Sequence, residues 1–336
     1  MKRVTIQDIA DKVGVTKGLV SRALRGKYNV SEKMREEITR TAVSMGYDFN
    51  KLRAKNKRRS KCLLIMTSDM LLKKDYWQPI IRTLTNTLDE KHVNLEYLIY
   101  DENSCGQADV ARLKAVEASG YVFMNNNPEI LLRATENTNL PVVVIDPKTV
   151  LSGKHLQIKY SNFNSFYDIT KLLIKAGHKH FVFYGPRAES ASFIERMQGV
   201  LTCVGDNATS GVTVSEVLFD NESGSYADNE SFEDVLRSRP EITAVMCAND
   251  IIAINAMKSI EGIGKKVPED YVVVGFDNIA ESADPKISLT TVNVPREDLG
   301  AEAARYLINH INNKQVKYSQ IVIDCETVIR RSTGRL

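Results

Sequence analysis

The stretch TIQDIADKVGVTKGLVSRAL, residues 5–24, carries two short apolar stripes on either side of one glycine. Apolar side chains recur at helical spacing in Ile6, Ile9, Ala10 and Val13, and again in Leu19, Val20, Ala23 and Leu24. Helices this short are marginal in water on their own, so the two must pack against each other. The stretch therefore predicts a pair of helices joined by a tight turn, in which Gly14 adopts the positive φ that the turn requires.

Residues at the expected helix ends support this interpretation. Thr5 has an acidic residue three positions later, which is the spacing of a capping box, and Thr16 can cap the second helix. A third helix is predicted over residues 32–45, with Ser31 as its N-cap and Gly46 as its stop. Three helices in this order form a helix-turn-helix unit, whose second helix enters the major groove of DNA.

The outward face of the second helix carries Lys17, Gly18, Ser21 and Arg22. Lysine and arginine suit guanine edges or phosphates, and serine suits phosphates. Glycine inside a helix costs about 1 kcal/mol relative to alanine. Gly18 is explained either by a close approach to a base or by simple tolerance at this position.

The charge of the chain is divided unevenly. Residues 1–61 contain 17 Lys and Arg against 6 Asp and Glu, a net charge of +11, and the remainder contains 28 against 36, a net charge of −8. A basic head on an acidic body suits phosphate binding. Charge alone is equally compatible with a solvated lysine-rich face.

Composition excludes several classes of protein. The 336 residues contain no apolar run near the length of a membrane span, and the N-terminus lacks the apolar core of a secretory signal. The five cysteines are scattered, without a Cys-x-x-Cys pair, which disfavours disulfide and zinc frameworks. We expect a cytoplasmic protein without a metal, cofactor or membrane partner.

From residue 62 onward, short apolar runs alternate with helical stretches. One set of runs covers 63–67, 95–100, 121–124 and 142–145, and a second set covers 181–184, 216–219, 244–247 and 271–274. This alternation predicts an α/β core of two lobes with parallel sheets, and the cleft between the lobes as the ligand site.

The predicted domains follow from these patterns. They are an all-α helix-turn-helix domain at 1–49, a basic linker at 50–61 and a core at 62–336. The core divides into a first lobe of about 62–159 and 293–320 and a second lobe of about 160–290 and 321–336.

An enzyme is disfavoured, and no catalytic or metal-ligating residue is assigned. No Gly-x-Gly-x-x-Gly follows a strand, residues 262–265 lack the Walker spacing, and no nucleophile elbow occurs. The five histidines show no spacing typical of metal ligands. A sugar-metabolising or nucleotide enzyme would need such a constellation, and an exported sugar-binding protein would have no basic head.

The head closely resembles the lactose/galactose repressor family. The resemblance rests on VTIQDIADKVGVT at 4–16, VSRAL at 20–24, Gly26, the Val-Ser pair at 30–31 and the Gly-Tyr pair at 46–47. It implies that Lys17, Gly18 and Arg22 face bases. It also implies DNA-backbone contacts for Thr5, Thr16, Ser21, Asn29 and Tyr47.

The linker departs from the family pattern. Asn50 matches, and Arg53 belongs to an Ala-Arg pair in exchanged order, but Phe49 replaces a proline and Asn56 replaces a leucine. A polar Asn56 cannot act as an apolar wedge between base steps. Asn50 and Arg53 remain as expected DNA contacts. Because the basic run 51–61 should still bind phosphates, we expect a larger non-specific, salt-sensitive share of affinity than is usual in the family.

The resemblance continues through the core at 173–179, 242–250, 267–277, 289–292 and 330–334, and it implies a small sugar-related effector in the cleft. The matching positions offer polar and aromatic partners for a sugar: Asp146, Tyr160, Arg196, Tyr226, Asn249 and Asp277, with Asp69, Tyr76 and Trp77 as looser candidates. For Tyr76 and Trp77, packing within the lobe or against a partner subunit is an equal alternative.

These observations predict a transcriptional regulator, most simply a repressor, that binds a near-palindromic operator in double-stranded DNA as a homodimer. Ile80, Ile81, Leu84 and Leu88 are predicted to supply part of the dimer seam. A second hypothesis is control by a phosphorylated carrier protein acting as co-repressor, or by another metabolite signal, in place of a free sugar.

Overall fold

The structure is a computed structural model of the 336-residue chain. It describes residues 4–24, 30–48, 59–72, 74–125, 128–136, 138–149, 155–187, 190–220, 226, 228–313 and 318–334. The chain divides into two compact units, Met1–Ser60 and Lys61–Leu336. In the described part of the chain, no helix is both long and apolar enough to cross a membrane.

The first unit contains three helices, α1 (Ile6–Val13), α2 (Lys17–Leu24) and α3 (Glu32–Ser44). Their buried faces meet in one small core, formed by Ile9, Ala10, Val20, Ala23, Ile38, Ala42 and Tyr47. Each helix alone buries only a few side chains, so the stability of each depends on the other two. The predicted helix-turn-helix arrangement is confirmed.

The helix ends follow the local sequence. The Thr5 amide donates to the Asp8 carboxylate at 2.7 Å while the Thr5 hydroxyl accepts from the Asp8 amide at 3.3 Å, which is the predicted capping box. Gly14 has φ of +76° and ends α1 in the left-handed region. The Ser31 hydroxyl caps α3 by accepting from the amide of Met34.

The second unit contains two six-stranded sheets covered by helices. In chain order, its helices and strands are β1 (Ser60–Thr67), α4 (Asp69–Leu72), α5 (Lys74–Glu90), β2 (Val93–Tyr100), α6 (Gln107–Ala115), β3 (Gly120–Met124), α7 (Glu129–Glu136), β4 (Val142–Ile145), β5 (Leu156–Tyr160), α8 (Asn162–Lys175), β6 (His180–Pro186), α9 (Ala191–Asp206), β7 (Thr213–Phe219), α10 (Asn229–Ser238), β8 (Ala244–Cys247), α11 (Asp250–Gly262), β9 (Val272–Asp277), β10 (Thr290–Asn293), α12 (Arg296–Ile311), β11 (Gln320–Ile323) and β12 (Glu326–Val328).

The strand order is β11-β5-β4-β3-β1-β2 in the first sheet and β12-β10-β9-β8-β6-β7 in the second. The described pairings are parallel except for that of β10 with β12. Each sheet is the centre of one lobe, as the alternating pattern predicts. The chain passes between the lobes three times, after β5, after β10 and after β11, so the last passage follows Ile323 where the prediction placed it near 320.

The helix pair α5 and α12 covers one face of the first sheet. Ile80, Ile81, Leu84 and Leu88 of α5 are all at least 93% buried in the lobe core. The prediction that they supply a dimer seam is therefore wrong, because the apolar stripe of α5 is already used against the core and α12. Gly300 makes this close packing feasible, since a Cβ there would collide with the carbonyl oxygen of Ile80 and lie 2.9 Å from the amide nitrogen of Leu84.

A Gly300→Ala substitution should lower the free energy of unfolding by about 1–3 kcal/mol, because the added methyl forces α12 away from α5. The matched control is Gly205→Ala on α9, where a Cβ would meet nothing within 4 Å. That change should be neutral or stabilising by up to about 1 kcal/mol, from helix propensity alone. Chemical denaturation of the full chain measures both. Equal effects would show that the α5–α12 approach is not close.

Candidate functional site

The outer face of α2 is open to solvent. Lys17, Gly18 and Arg22 are exposed, Ser21 is half-buried, and Val20 and Ala23 lie in the core. The Thr16 hydroxyl accepts from the Leu19 amide at 3.3 Å, which stabilises the start of α2. The local fold thus presents two cationic side chains beside a glycine on one helical face.

Gly18 has free space around it. A Cβ built there would meet only the Arg22 guanidinium at 3.8 Å and the Thr16 hydroxyl at 4.0 Å, both ordinary contact distances. The fold of the first unit therefore does not require glycine at this position. The free space is compatible with both explanations for Gly18, close approach of the helix to a base and simple tolerance of glycine.

The other predicted DNA contacts differ in placement. Thr5 is exposed at the start of α1 and takes part in the capping box. Tyr47 is only 7% exposed and packs in the core of the three helices, so most of its side chain is engaged within the unit. Asn29, Asn50 and Arg53 lie outside the described residues, as does Asn56.

Within the second unit, polar side chains gather where the two lobes meet. Asp146 follows β4 with φ of +47° and is 6% exposed. Its carboxylate accepts a hydrogen bond at 2.7 Å from Ser192 of α9, in the other lobe, and one at 3.1 Å from the hydroxyl of Tyr76 on α5. Asp146 therefore connects the first lobe to the second.

Arg196 on α9 is the central cation of this region and is 2% exposed. Its Nε donates to the Asn162 side chain at 3.0 Å, and its Nη1 donates to the Ala248 carbonyl at 2.7 Å. The guanidinium lies 3.6 Å from the centroid of the Phe276 ring. An ion pair to the Asp277 carboxylate at 3.7 Å completes its surroundings. These contacts hold the guanidinium in one orientation.

Three buried polar atoms in this region have no hydrogen-bond partner within the described residues: the Tyr160 hydroxyl, Oδ1 of Asp277 and Nε of Arg296. The 3.7 Å ion pair from Arg196 is too long to satisfy Oδ1 of Asp277. Leaving a buried polar atom unpaired costs roughly 1–3 kcal/mol. The three unpaired atoms thus offer a hydroxyl, an acceptor and a donor, which is the chemistry that a polyhydroxylated molecule can pair.

The carboxyl groups here are perturbed by their surroundings. Burial raises the pKa of Asp277 to about 6, against the opposing charges of Arg196 and Arg296. Burial also raises the pKa of Asp146, opposed by Ser192, Arg196 and Tyr76. At the start of α11, burial and the charge of Asp277 raise the pKa of Asp250 to about 7.

Four of the predicted effector residues lie close to one another. The charges of Asp146 and Asp277 contribute to the raised pKa of Tyr160, the charge of Asp146 contributes to the raised pKa of Asp277, and Arg196 forms an ion pair with Asp277. Tyr226 packs edge-on against Phe193 with ring centroids 6.4 Å apart, and the Phe193 ring also lies 5.2 Å from the Arg196 guanidinium. Tyr226 therefore borders the same region.

The remaining predicted residues have structural partners. The Asn249 side chain accepts from the Ile252 amide at 2.9 Å and caps α11. Trp77 is 6% exposed and packs in the first lobe, edge-on against Tyr76. Asp69 is exposed and accepts from the Thr67 hydroxyl. For Trp77, the structure therefore supports the alternative of packing within the first lobe.

Sequence reasoning missed several members of the cluster. Ser192 and Asn162 contact Asp146 and Arg196, and Arg296 donates to the Asp277 carbonyl from the start of α12. Tyr76, for which the sequence favours packing and ligand contact equally, donates a hydrogen bond from its hydroxyl to the Asp146 carboxylate. No local pattern marks these residues, because each meets a partner far away in the chain.

Among the described residues, no group of three His, Cys, Asp or Glu could hold a metal ion.

Comparison with known proteins finds matches in both units. Residues 5–50 match the family model of bacterial regulatory proteins, lacI family, and residues 170–333 match a periplasmic binding protein-like domain. The chain is 26% identical over 341 residues to the HTH-type transcriptional repressor CytR of Escherichia coli K12, covering 99% of this chain and 97% of that protein. It is 25% identical to the repressor PurR of Aliivibrio salmonicida, with 99% of each covered.

Solved structures share the fold. A lac repressor dimer bound to operator and the anti-inducer ONPF aligns with a TM-score of 0.69 at 22% identity, covering 99% of each chain. A complex of the regulator CelR with cellobiose aligns with a TM-score of 0.66 at 23% identity, covering 98% of this chain and 100% of that one.

The pH dependence of the free energy of unfolding should reveal the titration of the buried carboxyl of Asp250. Its pKa is about 7 in the folded chain and about 3.9 when unfolded, so the folded state holds more protons between these values. The free energy of unfolding should therefore fall as pH rises from 4 to 7, and Asp250→Asn should reduce that fall by roughly 1–3 kcal/mol. Denaturant titrations at several pH values measure this, with exposed Asp168→Asn as control. Parallel profiles for wild type and Asp250→Asn would contradict it.

A Gly18→Ala substitution separates the two explanations for this glycine. It should leave the melting temperature unchanged or raise it, because alanine fits the free space and favours helix by up to about 1 kcal/mol. It should weaken binding to DNA, because the methyl occupies the exposed face between Lys17 and Arg22. Thermal melting and DNA titration measure the two effects. Unchanged DNA affinity would identify Gly18 as merely tolerated.

Proposed function

Because the chain belongs to the lacI family of bacterial transcriptional regulators, we propose that it represses transcription by binding a near-palindromic operator as a homodimer, under control of a sugar or sugar-related effector. The proposal that the chain binds DNA rests on one observation. Lys17, Gly18 and Arg22 share an exposed face of α2, in a three-helix unit that has its own core. A DNA-binding regulator of a bacterial chromosome acts in the cytoplasm.

One recognition helix per chain supports the dimer. Two such helices related by a twofold axis read two half-sites about one helical turn apart. A solved relative of the same fold, the lac repressor, is a dimer on its operator. The predicted seam on α5 is not available, so the proposal leaves its dimer contacts to other surfaces of the second unit.

The unpaired atoms at the cleft support the effector. Tyr160, Asp277 and Arg296 offer a hydroxyl, an acceptor and a donor, which a molecule with several hydroxyl groups can pair. The aromatic rings of Phe193 and Tyr226 border the region and suit the apolar face of a sugar ring. The relatives include the repressor PurR, and a similar solved structure is a complex of the regulator CelR with cellobiose.

The same cluster supports a way for the effector to act. Ser192 bonds Asp146, and the Ala191 amide donates to the Lys148 carbonyl at 2.8 Å, so the two lobes meet through direct hydrogen bonds. A ligand acts on the lobes only by binding one arrangement of them more tightly than another. Tyr160 belongs to the first lobe and Asp277 to the second. An effector that forms hydrogen bonds with both therefore binds the arrangement in which the two groups are close more tightly than one in which they are apart.

The proposal is tested by fluorescence anisotropy on a palindrome from DNA upstream of the gene, with a panel of sugars and sugar phosphates. Arg22→Ala should weaken operator binding by about 1–3 kcal/mol, which is roughly 5- to 150-fold, and should reduce the ratio of operator affinity to scrambled-DNA affinity. Arg40→Ala, an exposed arginine of α3, is the matched loss of charge and should weaken both DNAs alike. Equal loss of specificity in both variants would refute the assignment of α2.

The proposal of a sugar effector is tested with a separate pair of variants. Asp277→Asn should raise the concentration of active sugar needed for half-maximal response by roughly tenfold or more, while operator affinity without sugar persists. Asp168→Asn, an exposed aspartate of α8, should change neither. Operator binding that no sugar shifts would overturn the sugar effector and favour a protein co-repressor. A monomer in sedimentation at micromolar concentration would overturn the dimer.

A further inference from the structure

A second concave site lies in the second lobe, formed by residues other than those of the cleft cluster. It is a groove of about 620 Å³ between the C-terminal half of α11, the turn that follows it, the loop before β10 and the segment at Arg331. Its lining residues are Ile254, Met257, Lys258, Glu261, Gly264, Lys265, Lys266, Val267, Glu269, Lys286, Ile287 and Arg331. We call it the α11 groove.

The charge of the α11 groove is opposite to that of the unit around it. Five lysine and arginine side chains line it against two glutamates, whereas residues 62–336 carry 28 basic against 36 acidic residues. Lys265 pairs with Asp270 at 3.3 Å. Within the described residues, the side chains of Lys258, Lys266 and Lys286 show neither an ion pair nor a hydrogen bond. Clustered unpaired cations in a concave surface raise the local positive potential and attract anions.

The inner surface of the groove is apolar. Ile254, Met257, Val267 and Ile287 are half-buried and pack against the core of the lobe. Exposed cations around an apolar surface suit a ligand with a flat apolar group at one end and negative charge at the other. A small inorganic anion would use only the cations.

The walls of the groove are held by internal hydrogen bonds. The Asp270 carboxylate accepts from the Lys266 amide at 2.9 Å, and the Lys265 amide donates to the Ile260 carbonyl at 3.0 Å. On the other side, Arg331 donates to the Lys286 carbonyl at 2.8 Å. The groove is therefore formed before a ligand arrives, which lowers the entropy cost of binding.

We propose that the α11 groove binds an organic polyphosphate of the nucleoside di- or triphosphate class. The ring lies on the apolar surface and the phosphates lie among Lys258, Lys266 and Lys286. The volume of about 620 Å³ is within the range of roughly 300–1,000 Å³ typical of small-molecule sites, and this favours a metabolite over a protein segment. The site is separate from the effector cleft and would give the regulator a second, anionic ligand.

The test is isothermal titration calorimetry of the full chain, without DNA, using ATP, inorganic triphosphate and adenosine as probes. ATP should bind more tightly than triphosphate and at least about tenfold more tightly than adenosine, because it uses both the apolar surface and the lysines. The double change Lys266→Glu with Lys286→Glu should weaken ATP binding by about tenfold or more, since it reverses two charges at the phosphates.

The matched control is Lys175→Glu with Lys179→Glu, two exposed lysines of the same lobe outside the groove. It changes the net charge equally and should alter the ATP dissociation constant by less than about threefold. Equal weakening in the two double variants, or no ATP binding in wild type, would overturn the site. Triphosphate binding as tight as ATP, or adenosine binding as tight as ATP, would overturn the assigned ligand class. Because DNA is absent, the outcome is independent of operator binding.

Discussion

The buried guanidinium of Arg196 is the interaction on which the cleft depends. A charge at 2% exposure is costly unless several partners compensate it, and here an amide side chain, a backbone carbonyl, a carboxylate and an aromatic ring do so. These partners lie at the start of α8, after β8 and at the end of β9. One side chain thus sets the relative positions of three chain segments, and with them the carboxylate of Asp277.

The three passages of the chain between the lobes explain why this cluster sits where the lobes meet. In parallel sheets, the residues after the strands collect at one edge, and loops there are free to carry polar groups. Asp146 and Tyr160 come from such ends in the first lobe, and Asp277 from one in the second. Since Asp146 bonds Ser192 across the boundary, the ligand-binding groups also join the lobes.

Much of the fold could be predicted because its causes are local. The capping box at Thr5, the positive φ of Gly14 and the spacing of Val20 and Ala23 depend on neighbours within a few residues. Eight strands could likewise be predicted from apolar or β-branched runs. In strands that are buried on both faces, such as β3, β4 and β8, the run is continuous. The missed strands are β5, β10, β11 and β12. Their polar or half-buried residues, as in the partly exposed β11, leave no such run.

The candidate site could be predicted only in part. Asp146, Arg196 and Asp277 follow or face strand ends, where a sequence pattern directs attention, and the structure places them together. The roles of Asn249, Trp77 and the apolar stripe of α5 could not be distinguished beforehand. A helix cap, a core ring or a dimer seam each presents the same residue types, and the packing partner alone decides between them.

The sequence by itself determined the three-helix head with its exposed basic face, the two-lobed α/β core and the resemblance to lacI-family regulators, because periodicity, capping and motif spacing are local properties. Only the tertiary structure decided which polar groups are paired. It joins Tyr76 to Asp146 across 70 positions and Arg296 to Asp277 across 19, and it leaves Tyr160 and Asp277 with unpaired atoms among the described residues. The physical reason is that burial and hydrogen bonding depend on residues brought together from distant parts of the chain, and no local pattern records them.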